Sequence, residues 1–178
     1  WVRMCTLSSE ASSKIDEEIQ LAGWVRLRRD HGKLIFLDLR DRKGVIQLVV
    51  NPKTSEEAHK IASQLRPEDV IEATGTVKKR PAGTINKELA TGEIEVEIAE
   101  ILPVSKAEAL PFDMGTEELN LELPTLLDHR ALSLRHPKIA SIFKVQEAVV
   151  RAFRETLEKE NFMEVFVPTI IKSAPEGG

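Results

Sequence analysis

Apolar and polar residues alternate with a period of two in much of the first hundred residues, and with a period near 3.6 beyond residue 137. Along residues 34–39, Ile35, Leu37 and Leu39 fall on one side of a strand, and Leu34, Phe36 and Asp38 on the other. A core face would not normally carry Asp38, so Phe36 is placed at a surface. Residues 23–50, GWVRLRRDHGKLIFLDLRDRKGVIQLVV, predict three strands in series. Asp30-His31-Gly32 forms the first turn and Asp41-Arg42-Lys43-Gly44 the second, with Gly44 available for a positive φ. The third strand, 45–50, is apolar except for Gln47, whose amide must face solvent or find a partner.

Residues 54–65 predict a short helix with Ala58, Ile61, Ala62 and Leu65 on one stripe and Pro67 closing it. Two more strands follow at 70–79 and 93–102. In the second, Ile94, Val96 and Ile98 face inward while Glu93, Glu95 and Glu97 face outward. RPAGTINKELATG, 80–92, is the loop between them. Five strands with a helix between the third and fourth is the order of a β-barrel of the five-stranded OB-fold type, assigned to residues 1–103. Residues 104–136, with Pro111 and Pro124, read as a hinge. Pro137 then starts a helix reaching about Asn161, with Ile139, Ile142, Phe143, Val149, Val150, Phe153 and Leu157 on one face and Gln146 interrupting it. A strand at 163–167 stops at Pro168. One helix and one strand cannot bury their apolar faces alone, so 137–178 reads as the beginning of a second, α+β domain.

Charged residues at 30% and apolar ones at 42% fit an ordinary globular protein. No run approaches the roughly 20 apolar residues of a membrane helix, and the first residues lack a secretory h-region, so the expected location is the cytoplasm, with no membrane partner. The single Cys5 excludes an internal disulfide and reads as an incidental thiol.

The net charge of −4 gives no global field for a polyanion. Arg26, Arg28, Arg29, Lys33, Arg40, Arg42 and Lys43 nevertheless crowd the first hairpins, and Lys78, Lys79 and Arg80 end a later strand. These residues fit either a local phosphate-binding patch or solvated strand ends that resist edge pairing. With Phe36 for stacking and Gln47 for a base edge, the barrel face suits unpaired nucleotides.

The same segments carry a family resemblance over nearly the whole chain. GWVRLRRDHGKLIFLDLRDRKGVIQLV, TGTVKKRPAG and TGEIEVEI resemble the anticodon-binding OB domain of bacterial-type aspartyl-tRNA synthetases. DHRALSLRHP resembles the junction into their catalytic domain, FMEVFVPTI resembles motif 1 of class II synthetases with Pro168 as its proline, and SAPEGG resembles the opening of the amino-acid pocket. The resemblance implies an aspartate-tRNA ligase that uses ATP and magnesium, binds tRNA and forms a homodimer through motif 1.

At matching positions it implies that Phe36 stacks on an anticodon base and Gln47 hydrogen-bonds the central uracil. Arg29, Arg80 and Glu95 would contact the same loop, Glu95 accepting from a guanine or cytosine donor. His31 and the loop 82–86, including Gly83, would separate the aspartate from the asparagine anticodon. Glu176 would line the amino-acid pocket and face the substrate ammonium. Bland roles are open to each: a satellite hydrophobe for Phe36, a solvated charge for Glu95, a turn residue for His31, a turn carboxylate for Glu176. The arginines of motifs 2 and 3 and the magnesium carboxylates would lie beyond Gly178, so no catalytic residue is expected here, and these residues alone should not activate aspartate.

ALSLRHPKIASIFKVQ and the EGG ending are closer to archaeal-type or asparaginyl enzymes than to the bacterial EGARD, which leaves open whether such an enzyme charges the aspartate tRNA alone or both aspartate and asparagine tRNAs, with a lean toward relaxed specificity. The open alternatives are a sister synthetase, asparaginyl or lysyl, and a noncatalytic OB module that binds single strands.

Overall fold

The computed structural model describes residues 5–116 and 118–168, which leaves Glu176 and the SAPEGG segment outside the described residues. The chain divides into two units, Trp1–Leu119 and Asn120–Gly178. The first is a closed barrel of β1 (Glu18–His31), β2 (Leu34–Arg40), β3 (Val45–Val50), β4 (Val70–Lys79) and β5 (Ile94–Ser105), with helix α1 (Glu56–Ala62) between β3 and β4. The strands follow one another around the barrel as β1-β2-β3-β5-β4, every neighbouring pair antiparallel except β3 with β5. This is the OB-type order expected from the pattern.

The alternation along each strand explains the closure. Leu37, Leu39, Ile46, Leu48, Ile71, Val77, Val96 and Ile98 all point inward and are almost completely enclosed. Each such side chain stabilises the fold by about 1.5–3 kcal/mol when buried. Helix α1 adds Ala58 and Ala62 to this core, with Ile61 packed against it and Leu65 just beyond. Ser55 caps it by accepting from the Ala58 N–H at 3.2 Å. The helix ends at Ala62, short of the expected Leu65, because the Arg28 guanidinium donates to the carbonyls of Ser63 (2.5 Å) and Leu65 (3.1 Å) and holds that segment as a turn. Arg28 is therefore occupied in fastening α1.

Two turns differ in detail from expectation. The first is the two-residue turn Gly32-Lys33, with Gly32 at φ +61°, so His31 belongs to β1. In the second, Gly44 does not adopt a positive φ. Asp41 closes that turn instead, its carboxylate accepting from the N–H groups of Lys43 (2.7 Å) and Gly44 (2.9 Å). The same carboxylate fastens the chain before β1, through the N–H and hydroxyl of buried Ser8 at 2.5 and 2.8 Å.

The second unit contains α2 (Leu123–Asp128), α3 (Arg130–Ser133) and α4 (Pro137–Lys159). The two short helices lie inside the stretch expected to be a plain hinge. Pro137 starts α4 as expected, and the helix ends with Asn161 at φ +63° and the Phe162 N–H on the Leu157 carbonyl. Residue after residue of its apolar face is exposed, Val149 and Phe153 by 63% and 65%, and none of its residues is buried. Residues 163–167 are not a strand, contrary to the sequence expectation, because a strand exists only with a hydrogen-bonded neighbour and no described segment pairs with them.

Candidate nucleic-acid interface

The outer face of the barrel is built by register. Arg29 of β1 lies opposite Phe36 of β2, Phe36 opposite Val49 of β3, Val49 beside Glu97 of β5, and Glu97 opposite Thr76 of β4. One step along, Leu27 pairs with Asp38, Asp38 with Gln47, and Lys78 with Glu95, while Gln47 and Glu95 each precede a residue of the paired Leu48 and Val96. Two rows of outward side chains thus cross the sheet side by side, and they bring together Arg29, Phe36, Gln47 and Glu95.

Arg29 reaches this face only through a bulge. In β1 the buried residues are Ile19, Leu21, Gly23 and Val25, and strict alternation would turn Leu27 and Arg29 inward as well. The register slips by one residue between Val25 and Leu27. A one-residue slip exchanges the two faces of a strand, so Leu27 and Arg29 emerge on the outside. Upstream, Gly23 passes so close to β2 that a Cβ there would sit 2.3 Å from the Arg40 carbonyl oxygen.

Once outside, Arg29 is held by Asp38, with Nη2 donating to Oδ1 at 2.8 Å. The arginine side chain is 46% exposed and the aspartate 11%. Phe36 is half-buried beside them, with His31 edge-on to its ring at 5.8 Å and 84°. Gln47 is on the outer face but nearly enclosed by its neighbours.

Arg80 follows β4 directly and is one of the most buried charged groups of the barrel, at 7% exposure. Its Nε donates to the Ile94 carbonyl at 2.8 Å and Nη1 to the Thr84 carbonyl at 3.5 Å, while the buried Nη2 has no protein partner. Burial pulls this guanidinium below its ordinary pKa; Glu95 and Asp38 oppose that shift and Arg29 adds to it. Burial also raises the Glu95 carboxyl above an ordinary glutamate, with Arg80 pulling it back and Glu97 pushing it further. Arg80 is therefore close enough to Glu95, Asp38 and Arg29 to feel the charge of each.

The loop beyond Arg80 has a firm base and an open tip. The Asn86 N–H donates to the Gly92 carbonyl at 3.1 Å, and the buried Thr91 hydroxyl donates to the Val45 carbonyl at 2.6 Å. At the tip, Ala82–Thr84 forms an exposed 3-10 turn, and a Cβ on Gly83 would meet nothing within 4 Å. Gly83 thus answers to no steric demand of the barrel itself.

Of the crowded basic residues, Arg28 fastens α1, and Arg40 is paired with buried Glu68 at 2.8 Å and lies over Trp24. Arg29 and Lys78 lie in the rows, Lys78 paired with Asp16 at 2.8 Å, and Arg80 follows at the end of β4. Sequence reading used Asp38 solely to orient Phe36 and missed it as a member of the site. The available signal was a lone carboxylate in the apolar run LIFLDLR. The described residues contain no cluster of three His, Cys, Asp or Glu able to hold a metal ion.

Comparison with known proteins follows this geometry closely. A profile described as an OB-fold nucleic acid binding domain matches residues 19–104, and one described as tRNA synthetases class II (D, K and N) matches 122–178. The aspartate–tRNA ligase of Staphylococcus saprophyticus is 44% identical over 173 residues, covering 97% of this chain. The chain spans 29% of the length of that relative. Among solved structures, asparaginyl-tRNA synthetase from Pyrococcus horikoshii superimposes with a TM-score of 0.81 at 30% identity, over 100% of this chain and 39% of that one. Aspartyl tRNA synthetase from Entamoeba histolytica shares the fold at a TM-score of 0.82 and 23% identity, over 96% and 40% of the two chains. The barrel is thus similar to an OB-fold nucleic acid binding domain and the helical unit to class II (D, K and N) tRNA synthetases, and 97% of the chain is similar to aspartate–tRNA ligases.

Proposed function

We propose that the outer barrel face binds the anticodon loop of a tRNA, within an enzyme that activates aspartate with ATP and transfers it to that tRNA. The observation that carries this reading is the convergence of Arg29, Phe36, Gln47, Arg80 and Glu95 on one face. Phe36 offers a stacking platform, Gln47 a two-way hydrogen-bonding amide, Glu95 an acceptor, and Arg80 an Nη2 donor that lacks a protein partner. Arg29 supplies charge to a base or a phosphate. His31, edge-on to Phe36, and the open tip at Gly83 stand where the third anticodon base would be sensed. The reading extends to acceptance of both aspartate and asparagine tRNAs.

The catalytic part of the proposal rests on the similarity to aspartate–tRNA ligases. By the family resemblance, ATP and magnesium would be held by residues other than those described. Glu176 would face the aspartate ammonium. The exposed apolar face of α4, with Ile142, Val149 and Phe153, is the surface through which two copies of the enzyme would pair. No described helix is long and apolar enough to cross a membrane, and the proposed place of work is the cytoplasm.

The test is binding of an aspartate anticodon stem-loop, followed by fluorescence anisotropy. Phe36→Ala and Gln47→Ala should each weaken it by about 1–3 kcal/mol, the range for losing one stacked or bidentately read base, with thermal unfolding unchanged. Unchanged affinity in both folded variants would refute the assignment.

A further inference from the structure

Asp38 stands out among the outward residues of the barrel. It is a carboxylate at 8% exposure on the face proposed to receive RNA, a polyanion, where an acidic group is an electrostatic disadvantage. Its ion-pair partner Arg29 is half-exposed and could solvate its own charge. The core does not use it either, because Ile35, Leu37 and Leu39 form the inward face of β2.

Its contacts suggest a different role. Asp38 Oδ1 takes one guanidinium nitrogen of Arg29 at 2.8 Å. That hold restricts a long, rotamer-rich side chain to the strip beside Phe36, its register partner. The bulge in β1 delivers Arg29 to this strip, and Asp38 pairs directly with Gln47 on the other side. The charge of Asp38 also reaches Arg80. A single enclosed carboxylate therefore lies among the three donors proposed to read the loop.

Resting on the anticodon-binding reading, we infer that Asp38 is a positioning residue: it fixes the Arg29 guanidinium on the strip that carries Phe36, so that the arginine reads a base edge instead of seizing any nearby phosphate. Without it, Arg29 becomes a mobile cation. The barrel would then keep its attraction for RNA and lose selectivity. Fixing the fork before binding also reduces the side-chain ordering required when RNA arrives.

The experiment uses the 178-residue chain and stem-loops in which each anticodon base is replaced in turn. Arg29→Ala first locates the base at which Arg29 discriminates. Asp38→Asn keeps the shape of the side chain and removes its charge. At that same base it should reduce discrimination about tenfold, the scale of one base-edge contact. Its affinity at low salt should stay near wild type, with the fall in affinity with salt steeper by about one unit, since one more cation is free for phosphate. In the Arg29→Ala background Asp38→Asn should leave discrimination at that base unchanged. Arg29→Lys, which retains charge but not the fork, should imitate Asp38→Asn.

A merely structural Asp38 would behave differently. Asp38→Asn would then lower the melting temperature and weaken all loops equally in both backgrounds, which overturns the inference. Discrimination retained by Asp38→Asn overturns it too, while leaving the anticodon reading intact. If the wild-type chain itself does not discriminate among the loops, the anticodon reading falls and the role of Asp38 with it.

Discussion

Two carboxylates of one barrel, Asp41 just after β2 and Glu95 on β5, are held in opposite ways. Around Asp41, burial acts to raise the pKa, and hydrogen bonds from the Ser8 N–H and hydroxyl and the Lys43 and Gly44 N–H groups outweigh it, leaving the carboxyl below its ordinary value. At Glu95 burial wins, and the nearby Arg80 does not fully compensate it. Arg80 has the matching defect, a buried nitrogen without a protein partner. The turn at Asp41 thus satisfies its charge from within. The outer face leaves charge and hydrogen-bonding capacity unfilled, as expected where the missing partner is a ligand.

The largest effect should come from breaking the satisfied site. Asp41→Ala removes the acceptor for four donors, opens the turn between β2 and β3 and frees the chain before β1, and should destabilise the barrel by about 1–3 kcal/mol, the range for leaving hydrogen-bonded groups unpaired. Urea unfolding at pH 7 measures it. The sign of the pH dependence is fixed by the depressed folded pKa. The Asp41 contribution is complete above its unfolded value of 3.8 and is lost as pH falls through the lower folded value. The stability gap between wild type and Asp41→Asn should therefore be constant from pH 7 to 5 and close only in acid below the unfolded value. A gap that closes between pH 7 and 5 would contradict the hydrogen-bond account.

The two regions also differed in how readily they could be read from sequence. Strand order, the inward rows of Leu37, Val96 and Ile98, and the outward Phe36 and Glu95 follow from period-two alternation, because side-chain direction in a regular strand is set locally. Arg29 is different. Its side of the sheet depends on the slip between Val25 and Leu27, and a bulge leaves no mark in an alternation that a single arginine-rich segment can hide. The enclosure of Arg80 and Gln47 depends on neighbours from other strands and on the loop carbonyl of Thr84, which no local pattern specifies. Gly44 was expected to make a turn that Asp41 in fact makes, since side-chain and backbone solutions to the same turn share a composition. The failed strand at 163–167 has the plainest cause: its pattern is apolar and extended, but pairing is a property of two segments.

The smallest effect on stability, and the sharpest on function, should come from Glu95→Gln. Its folded pKa lies above the model-peptide value of 4.5, so the charged carboxylate is the disfavoured form in the barrel. Its linkage has the opposite sign to that of Asp41: below the unfolded value the neutral acid carries no penalty, and stability declines as pH rises from there through the folded pKa. Replacing it with a neutral amide should thus change stability at pH 7 by no more than about 0.5 kcal/mol, with a stabilising sign. Binding should respond the other way. If the carboxylate accepts a hydrogen bond from a base amino group, lowering the pH from 7 through the folded pKa, which lies above 4.5, protonates Glu95 and weakens the stem-loop complex. Glu95→Gln should bind more weakly at pH 7 and show a flatter pH profile over that interval. An affinity that rises as wild type is acidified would mean that the protonated acid donates to the base. A Glu95→Gln variant that loses stability as Asp41→Ala does would erase the contrast between a filled site and one awaiting its ligand.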